Sequence, residues 1–181
     1  KGITLIDGDA EEHEHEEEAD HKDEHGHEHE HGSTDPHVWL SPLNAKQLAL
    51  NIKNALVEAD GAHQADYEAN YKKLTDQLDA LHEAYKSKLA QTSKKEIVVT
   101  HQSFGYLAKE YGLTQKALMG LSPDAEPTSK EMQDIIKFVR NNGVTTIFFE
   151  ELVSDKVAKS LAKDAGVETM VLNPLDGLTE E

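Results

Sequence analysis

The sequence predicts an α/β protein whose carboxy-terminal part is a doubly wound lobe on a parallel four-stranded sheet, preceded by a long helix. Three observations predict it. From residue 94 onward, short apolar runs alternate with amphipathic helical stretches, the pattern of successive βα units with right-handed crossovers. A glycine follows each helical stretch there, at Gly112, Gly143 and Gly166. With 181 residues and 37% hydrophobic content, the chain can build one core of about 100 to 150 residues and still carry segments outside it.

Each element has its own signal. Residues 1–7 (KGITLID) read as a small buried strand with no upstream partner, and the chain is therefore taken as a piece of a longer one. Residues 8–35 are almost wholly Asp, Glu, His and Gly, a composition that cannot bury enough apolar surface to offset its ordering entropy, so a mobile loop is expected. Order resumes at Asp35-Pro36-His37-Val38-Trp39-Leu40, and Ser41-Pro42 supplies a helix cap with proline at the first helical position. The helix that follows carries an apolar face of Ala45, Leu48, Ala49, Ile52, Ala55, Leu56 and Ala59 and ends near Asp60-Gly61. From His63 to Gln91, the spacing of Tyr67, Tyr71, Leu74, Leu78, Leu81, Tyr85 and Leu89 continues the helical period without Gly or Pro, a rod of about 40 Å. A coiled coil of about three heptads is the competing reading of that stretch. Beyond Lys94-Lys95 the pattern predicts strands over 96–100, 115–119, 144–149 and 167–172 and helices over 103–111, 128–142 and 154–165. Thr128 and Glu131 form a capping-box pattern.

The formal charge of −17 is unevenly spread. Residues 11–35 hold twelve acids and one base, so −11 sits in that stretch and −6 in the rest. No basic footprint for nucleic acid exists, and an anionic membrane surface would repel the chain. The absence of cysteine excludes thiolate metal sites and disulfides. No apolar run approaches the roughly 18 residues of a membrane span.

In an open parallel sheet, ligands gather beyond the carboxyl ends of the strands. His101 follows the first strand directly and Asp176 lies in the loop past the last, so the two share a rim. His37 stands before the first helix, between Pro36 and an aromatic residue that should anchor it. Two imidazoles and a carboxylate suit Zn²⁺, which takes N and O ligands at about 2.0 to 2.2 Å in a tetrahedron and needs a fourth donor. Singly, each has a bland reading: a hydrogen-bonded structural histidine at a strand end, a capping aspartate in a loop. Glu150 and Glu151, ending the third strand, share the rim and are read as groups that orient a histidine or serve structure rather than ligate. His13, His15, His21, His25, His27, His29 and His31 alternate with carboxylates and are expected either to bind several ions loosely or to form a solvated, self-repelling linker.

The segments around Asp35-Pro36-His37-Val38-Trp39-Leu40-Ser41-Pro42, Val99-Thr100-His101-Gln102-Ser103-Phe104-Gly105, Gly120-Leu121-Ser122-Pro123-Asp124 and Val171-Leu172-Asn173-Pro174-Leu175-Asp176 carry a resemblance. Together with the acidic His-rich loop at residues 8–35, they resemble the signature segments of the zinc-specific solute-binding lipoproteins of the AdcA/ZnuA type, over nearly the whole chain. That resemblance implies two α/β lobes joined by one long helix. Residues 1–60 would then end an amino-terminal lobe, 61–93 form the interlobe helix, and 94–181 the carboxy-terminal metal-binding lobe. It implies Zn²⁺ held in the interlobe cleft by three histidines and a carboxylate, with His37, His101 and Asp176 in this chain. The remaining histidine is expected upstream of Lys1 and the last helix beyond Glu181. It further implies a monomeric, extracytoplasmic zinc carrier of an ABC importer, at the cell surface through an upstream lipid anchor or in the periplasm. Such a carrier delivers its ion to a membrane permease and is not an enzyme.

Manganese-type relatives usually carry glutamate where His101 stands, so His101 is expected to set zinc selectivity. Some zinc-type relatives carry glutamate at the position of Asp176, which keeps the charge on a shorter arm. The rival readings are a manganese-type carrier, a zinc hydrolase, and a surface adhesin or metal buffer acting through the loop alone. For the hydrolase the sequence offers neither a His-Glu-x-x-His helix nor a clear general base.

Overall fold

The computed structural model describes residues 1–8, 34–121, 127–151 and 155–177. The seven loop histidines, His13 through His31, lie outside the described residues. Residues 1–7 do not form the buried strand expected of them. They are largely exposed, Leu5 by 60%, and touch Thr34 through a single antiparallel bridge at Asp7. Alternating apolar residues make a strand only where a neighbour pairs their backbone and covers one face. Here the backbone of Ile6 instead bonds Asp35 and the Tyr106 phenol. The expected loop is also too long at its ends, since Gly8 and Asp35 are both buried.

A helical hairpin follows. After a short 3-10 turn, Val38–Leu40, helix α1 spans Pro42–Ala59 and helix α2 Gln64–Ala90. Ser41 caps α1 as its sequence requires, its hydroxyl accepting the Asn44 N–H at 3.2 Å with Pro42 at the first position. A second 3-10 turn, Gly61–His63, reverses the chain. The helices are antiparallel: Lys46 near the start of α1 pairs with Asp79 late in α2, and Lys53 lies over the Tyr71 ring at 5.8 Å. Their 3-4 spaced apolar residues line a shared groove, but Ile52 remains 60% exposed and Leu74 43%. Two helices cover only one side of each other's stripe, and no third layer lies over this groove among the described residues.

The carboxy-terminal lobe comprises β1 (Glu96–Val99), α3 (Gly105–Tyr111), β2 (Thr114–Ala117), α4 (Ser129–Asn142), β3 (Thr146–Phe149), α5 (Lys156–Ala165) and β4 (Glu168–Val171). All four strands are parallel, in the order β2-β1-β3-β4. Right-handed crossovers therefore place α3 on one face and α4 with α5 on the other. The main core lies on the second face, where Val98, Ile147, Ile135, Val139, Leu161 and Ala158 pack together. Thr128 and Glu131 close the expected capping box, and Gly112, Gly143 and Gly166 end their helices in left-handed conformation at φ 66°, 62° and 78°. The chain leaves β1 toward β2 but leaves β3 toward β4, so the direction of winding reverses between β1 and β3. That crevice is where an open α/β sheet offers a binding site.

A candidate metal centre at the reversal of the sheet

His101 and Glu150 sit at the two lips of that crevice. The Thr100 amide extends the ladder onto Phe148 O at 3.1 Å, which places His101 just past β1 and opposite Glu150, just past β3. Both are buried, His101 to 1% exposure and Glu150 to 5%, and the Glu150 carboxylate accepts the Nδ1–H of His101.

His37 arrives from outside the lobe. It is 4% exposed, its ring lies edge-on to that of His101 at 4.9 Å, and its Nε2 stands 3.2 Å from His101 Nε2. Its Nδ1 faces Asp35 Oδ1 at 2.7 Å. The neighbouring Trp39 anchors the segment as expected, packing edge-on to the His37 ring at 5.4 Å and donating its indole N–H to Pro174 O at 2.9 Å.

That last bond ties the His37 segment to the loop bearing Asp176. The loop departs from β4 after Leu172 N–H bonds Phe149 O at 2.9 Å. Asn173 Oδ1 then accepts the Leu175 N–H at 2.8 Å, and Asn173 Nδ2 donates to Glu151 Oε2 at 3.2 Å. Asp176 is exposed, and its carboxylate lies with the two imidazoles in a cluster whose ligand atoms are all within 4.8 Å of one another.

This geometry has a chemical consequence. A carboxylate only accepts hydrogen bonds, so Asp35 and Glu150 assign the Nδ1–H tautomer to both rings. The two rings turn their Nε2 atoms toward each other across 3.2 Å, and a ring in the neutral form that binds metal offers a lone pair there. Two facing lone pairs repel unless a positive centre lies between them. A tetrahedral ion with bonds of 2.0 to 2.1 Å has an edge of about 3.4 Å, so the two nitrogens are spaced to share one. Asp176, on an exposed loop, brings a carboxylate oxygen within 4.8 Å of an imidazole nitrogen of each ring.

The fold thus brings together the three residues expected to converge and separates the two glutamates. Glu150 stands behind an imidazole, whereas Glu151 is exposed and bonds the Asn173 amide instead of a ring. One residue step along a strand end reverses the direction of the side chain, which is why adjacent glutamates part company. Asp35 was hidden by its position at the edge of the acidic stretch. The signal that would have found it is local: an aspartate two residues before a histidine, across a proline, can bond the i+2 amide and the ring together.

A second polar junction fastens the hairpin to the lobe. Glu110 on α3 receives the Ser41 hydroxyl and lies 3.0 Å from His82 Nδ1 on α2, and Tyr111 stacks on Tyr85 at 5.2 Å.

Comparison with known proteins adds independent evidence. Residues 2–181 match the family described as ZnuA, zinc-uptake complex component A, periplasmic. The chain is 44% identical over 181 residues to the high-affinity zinc uptake system protein ZnuA of Bacillus subtilis, covering all of this chain and 54% of that protein. Among solved structures it resembles a Zn(II)-bound variant of AdcAII from Streptococcus pneumoniae, with a TM-score of 0.82 and 32% identity over 100% of this chain and 61% of that one. It also resembles the laminin-binding protein Lmb of Streptococcus agalactiae, described as bifunctional with adhesin and metal transporting activity. There the TM-score is 0.78 and the identity 35%, over 81% of this chain and 57% of that one. The chain spans about half the length of the curated relative from Bacillus subtilis.

Proposed function

The chain belongs to the ZnuA family of zinc-uptake components, and from that membership we propose that it captures Zn²⁺ outside the cytoplasm for an ABC importer and surrenders it to the membrane permease. The observation that carries this reading is the pair of facing Nε2 atoms 3.2 Å apart, each ring held from behind by a buried carboxylate. His37, His101 and Asp176 are the proposed ligands, and the fourth corner of the tetrahedron falls to a donor other than these three. In this reading residues 1–60 belong to one lobe, 61–93 to the bridging helix and 94–181 to the other lobe. Zinc is then enclosed between segments that can separate to release it. The protein works as a monomer, held at the membrane by a lipid anchor outside this chain or free in the periplasm.

Zinc rather than manganese follows from the donor set. Two imidazoles favour the softer ion, whereas Mn²⁺ prefers carboxylate and carbonyl oxygen. Carriage rather than hydrolysis is favoured by the family match and by the relative from Bacillus subtilis, both described as zinc-uptake components. Counting metal-bound water in the zinc-loaded protein separates the two, since a carrier closes its site with four protein ligands and a hydrolase keeps a water position open.

The direct test is competitive zinc affinity of the full-length protein before and after His101→Ala. Loss of a partner behind a ligand costs about 10- to 100-fold, and loss of a ligand should cost at least about 100-fold. An affinity within about twofold of the unaltered protein would overturn the assignment.

A further inference from the structure

Asp35 is 1% exposed at the point where the chain enters the metal centre, between Thr34, which bridges Asp7, and Pro36. A buried carboxylate is unfavourable unless its oxygens are occupied, so its contacts can be followed one by one. Oδ1 accepts two N–H groups of His37, the backbone amide at 2.9 Å and ring Nδ1 at 2.7 Å. The Asp35 amide donates to Ile6 O at 3.0 Å, and the Asp35 carbonyl accepts the Tyr106 phenol at 2.9 Å. The Tyr106 oxygen accepts in turn from Ile6 N–H at 3.2 Å. Oδ2 lies against Gly105, the first residue of α3, where an added Cβ would come within 2.7 Å of it and 3.0 Å of Ile6 Cδ1. Gly105 is therefore demanded by the close approach of this carboxylate.

We propose that Asp35 is a positioning residue of the zinc centre, which selects the Nε2 of His37 as the donor and sets its place opposite His101 by seating the segment on Gly105 and Tyr106. The inference rests on the zinc-capture reading and adds to it a residue that touches no metal. A ring free to rotate and exchange tautomers offers either nitrogen. A ring gripped at Nδ1 by a carboxylate that also grips its own backbone amide offers one nitrogen in one direction. Asp35 thereby does for His37 what Glu150 does for His101. The two grips have different origins: Glu150 belongs to the sheet that carries its histidine, whereas Asp35 lies two residues from its histidine and meets the lobe at Gly105 and Tyr106 of α3.

A residue that merely capped the His37 amide would stabilise the fold without governing the ring, and the test separates the two roles. In the full-length protein without metal, long-range ¹⁵N–¹H spectra of the histidine rings should show His37 protonated at Nδ1 alone. Asp35→Ala should make that ring a mixture of tautomers and weaken competitive zinc affinity about 10- to 100-fold. Asp35→Asn keeps an acceptor without the charge and should fall between. Gly105→Ala leaves Asp35 in place but displaces its carboxylate, and should weaken zinc binding in the same direction. Circular dichroism identifies variants that fold, and if Asp35→Ala does not, the other two decide. Folded variants with an unchanged His37 tautomer and zinc affinity within twofold would overturn the proposal. Because the ring measurement uses no metal, it judges Asp35 even if the unaltered protein fails to bind zinc, a result that would sink the functional reading alone.

Discussion

Leu175 turns the backbone through φ 60°, a left-handed conformation that disfavours a branched side chain, one residue before Asp176. The side chain is 68% exposed, so its burial returns little. The turn is held by its neighbours: Asn173 accepts the Leu175 amide, Glu151 steadies Asn173, and the Trp39 indole grips Pro174 O. Leu175→Gly should relieve about 1 kcal/mol of conformational cost, partly offset by the greater freedom glycine loses on folding. The expected net gain is about 0.5 kcal/mol in urea unfolding, and a loss above about 1 kcal/mol would contradict it. No sequence pattern announces a left-handed leucine, because two of the contacts that hold the turn, from Glu151 and Trp39, come from distant parts of the chain. His37, His101 and Asp176 were legible for the opposite reason: strand ends, a proline and a tryptophan mark their places locally. Asp35 was not, since a composition window assigns it to the acidic run while the fold buries it beside an imidazole.

At the scale of elements, the βα alternation and the three closing glycines gave the lobe its order, and the observed strands differ mainly in being shorter, because pairing stops where the loops depart. The hairpin was legible as two helices but its exposure was not, because periodicity shows which face is apolar and not what covers it. The junction of α2 with α3 carries a prediction of its own. Burial pushes the Tyr111 phenol up from its ordinary value of 10.0, and the negative charge of Glu110 pushes it further. Above about pH 10 the unfolded chain releases a proton that the folded chain keeps, so this group's contribution to stability is present below that pH and lost as pH rises. Tyr111→Phe retains the ring that stacks on Tyr85 and removes the titration. Urea midpoints between pH 8 and 11 should therefore fall less steeply for the variant, and parallel curves would refute the coupling.

For the whole molecule, most of the net negative charge lies in a stretch attached beside the candidate metal centre, between Asp7 and Thr34. Charge so placed should draw cations toward the crevice and make capture faster at low ionic strength. Deleting residues 11–33 is expected to slow zinc association at low salt while leaving binding tight, since the crevice keeps its own ligands. The shorter connection should also raise stability by about 2 kcal/mol through loop-closure entropy. Loss of tight binding in stopped-flow and competition measurements would move the function into the loop. The bridge that joins Asp7 to Thr34 has a practical corollary. Paired antiparallel residues stand only about 5 Å apart, so a folded reporter whose own termini are adjacent could be spliced there without prising the flanks open. Asp35 follows at once, so such a graft would serve as a port through which closure around the ion becomes an optical signal.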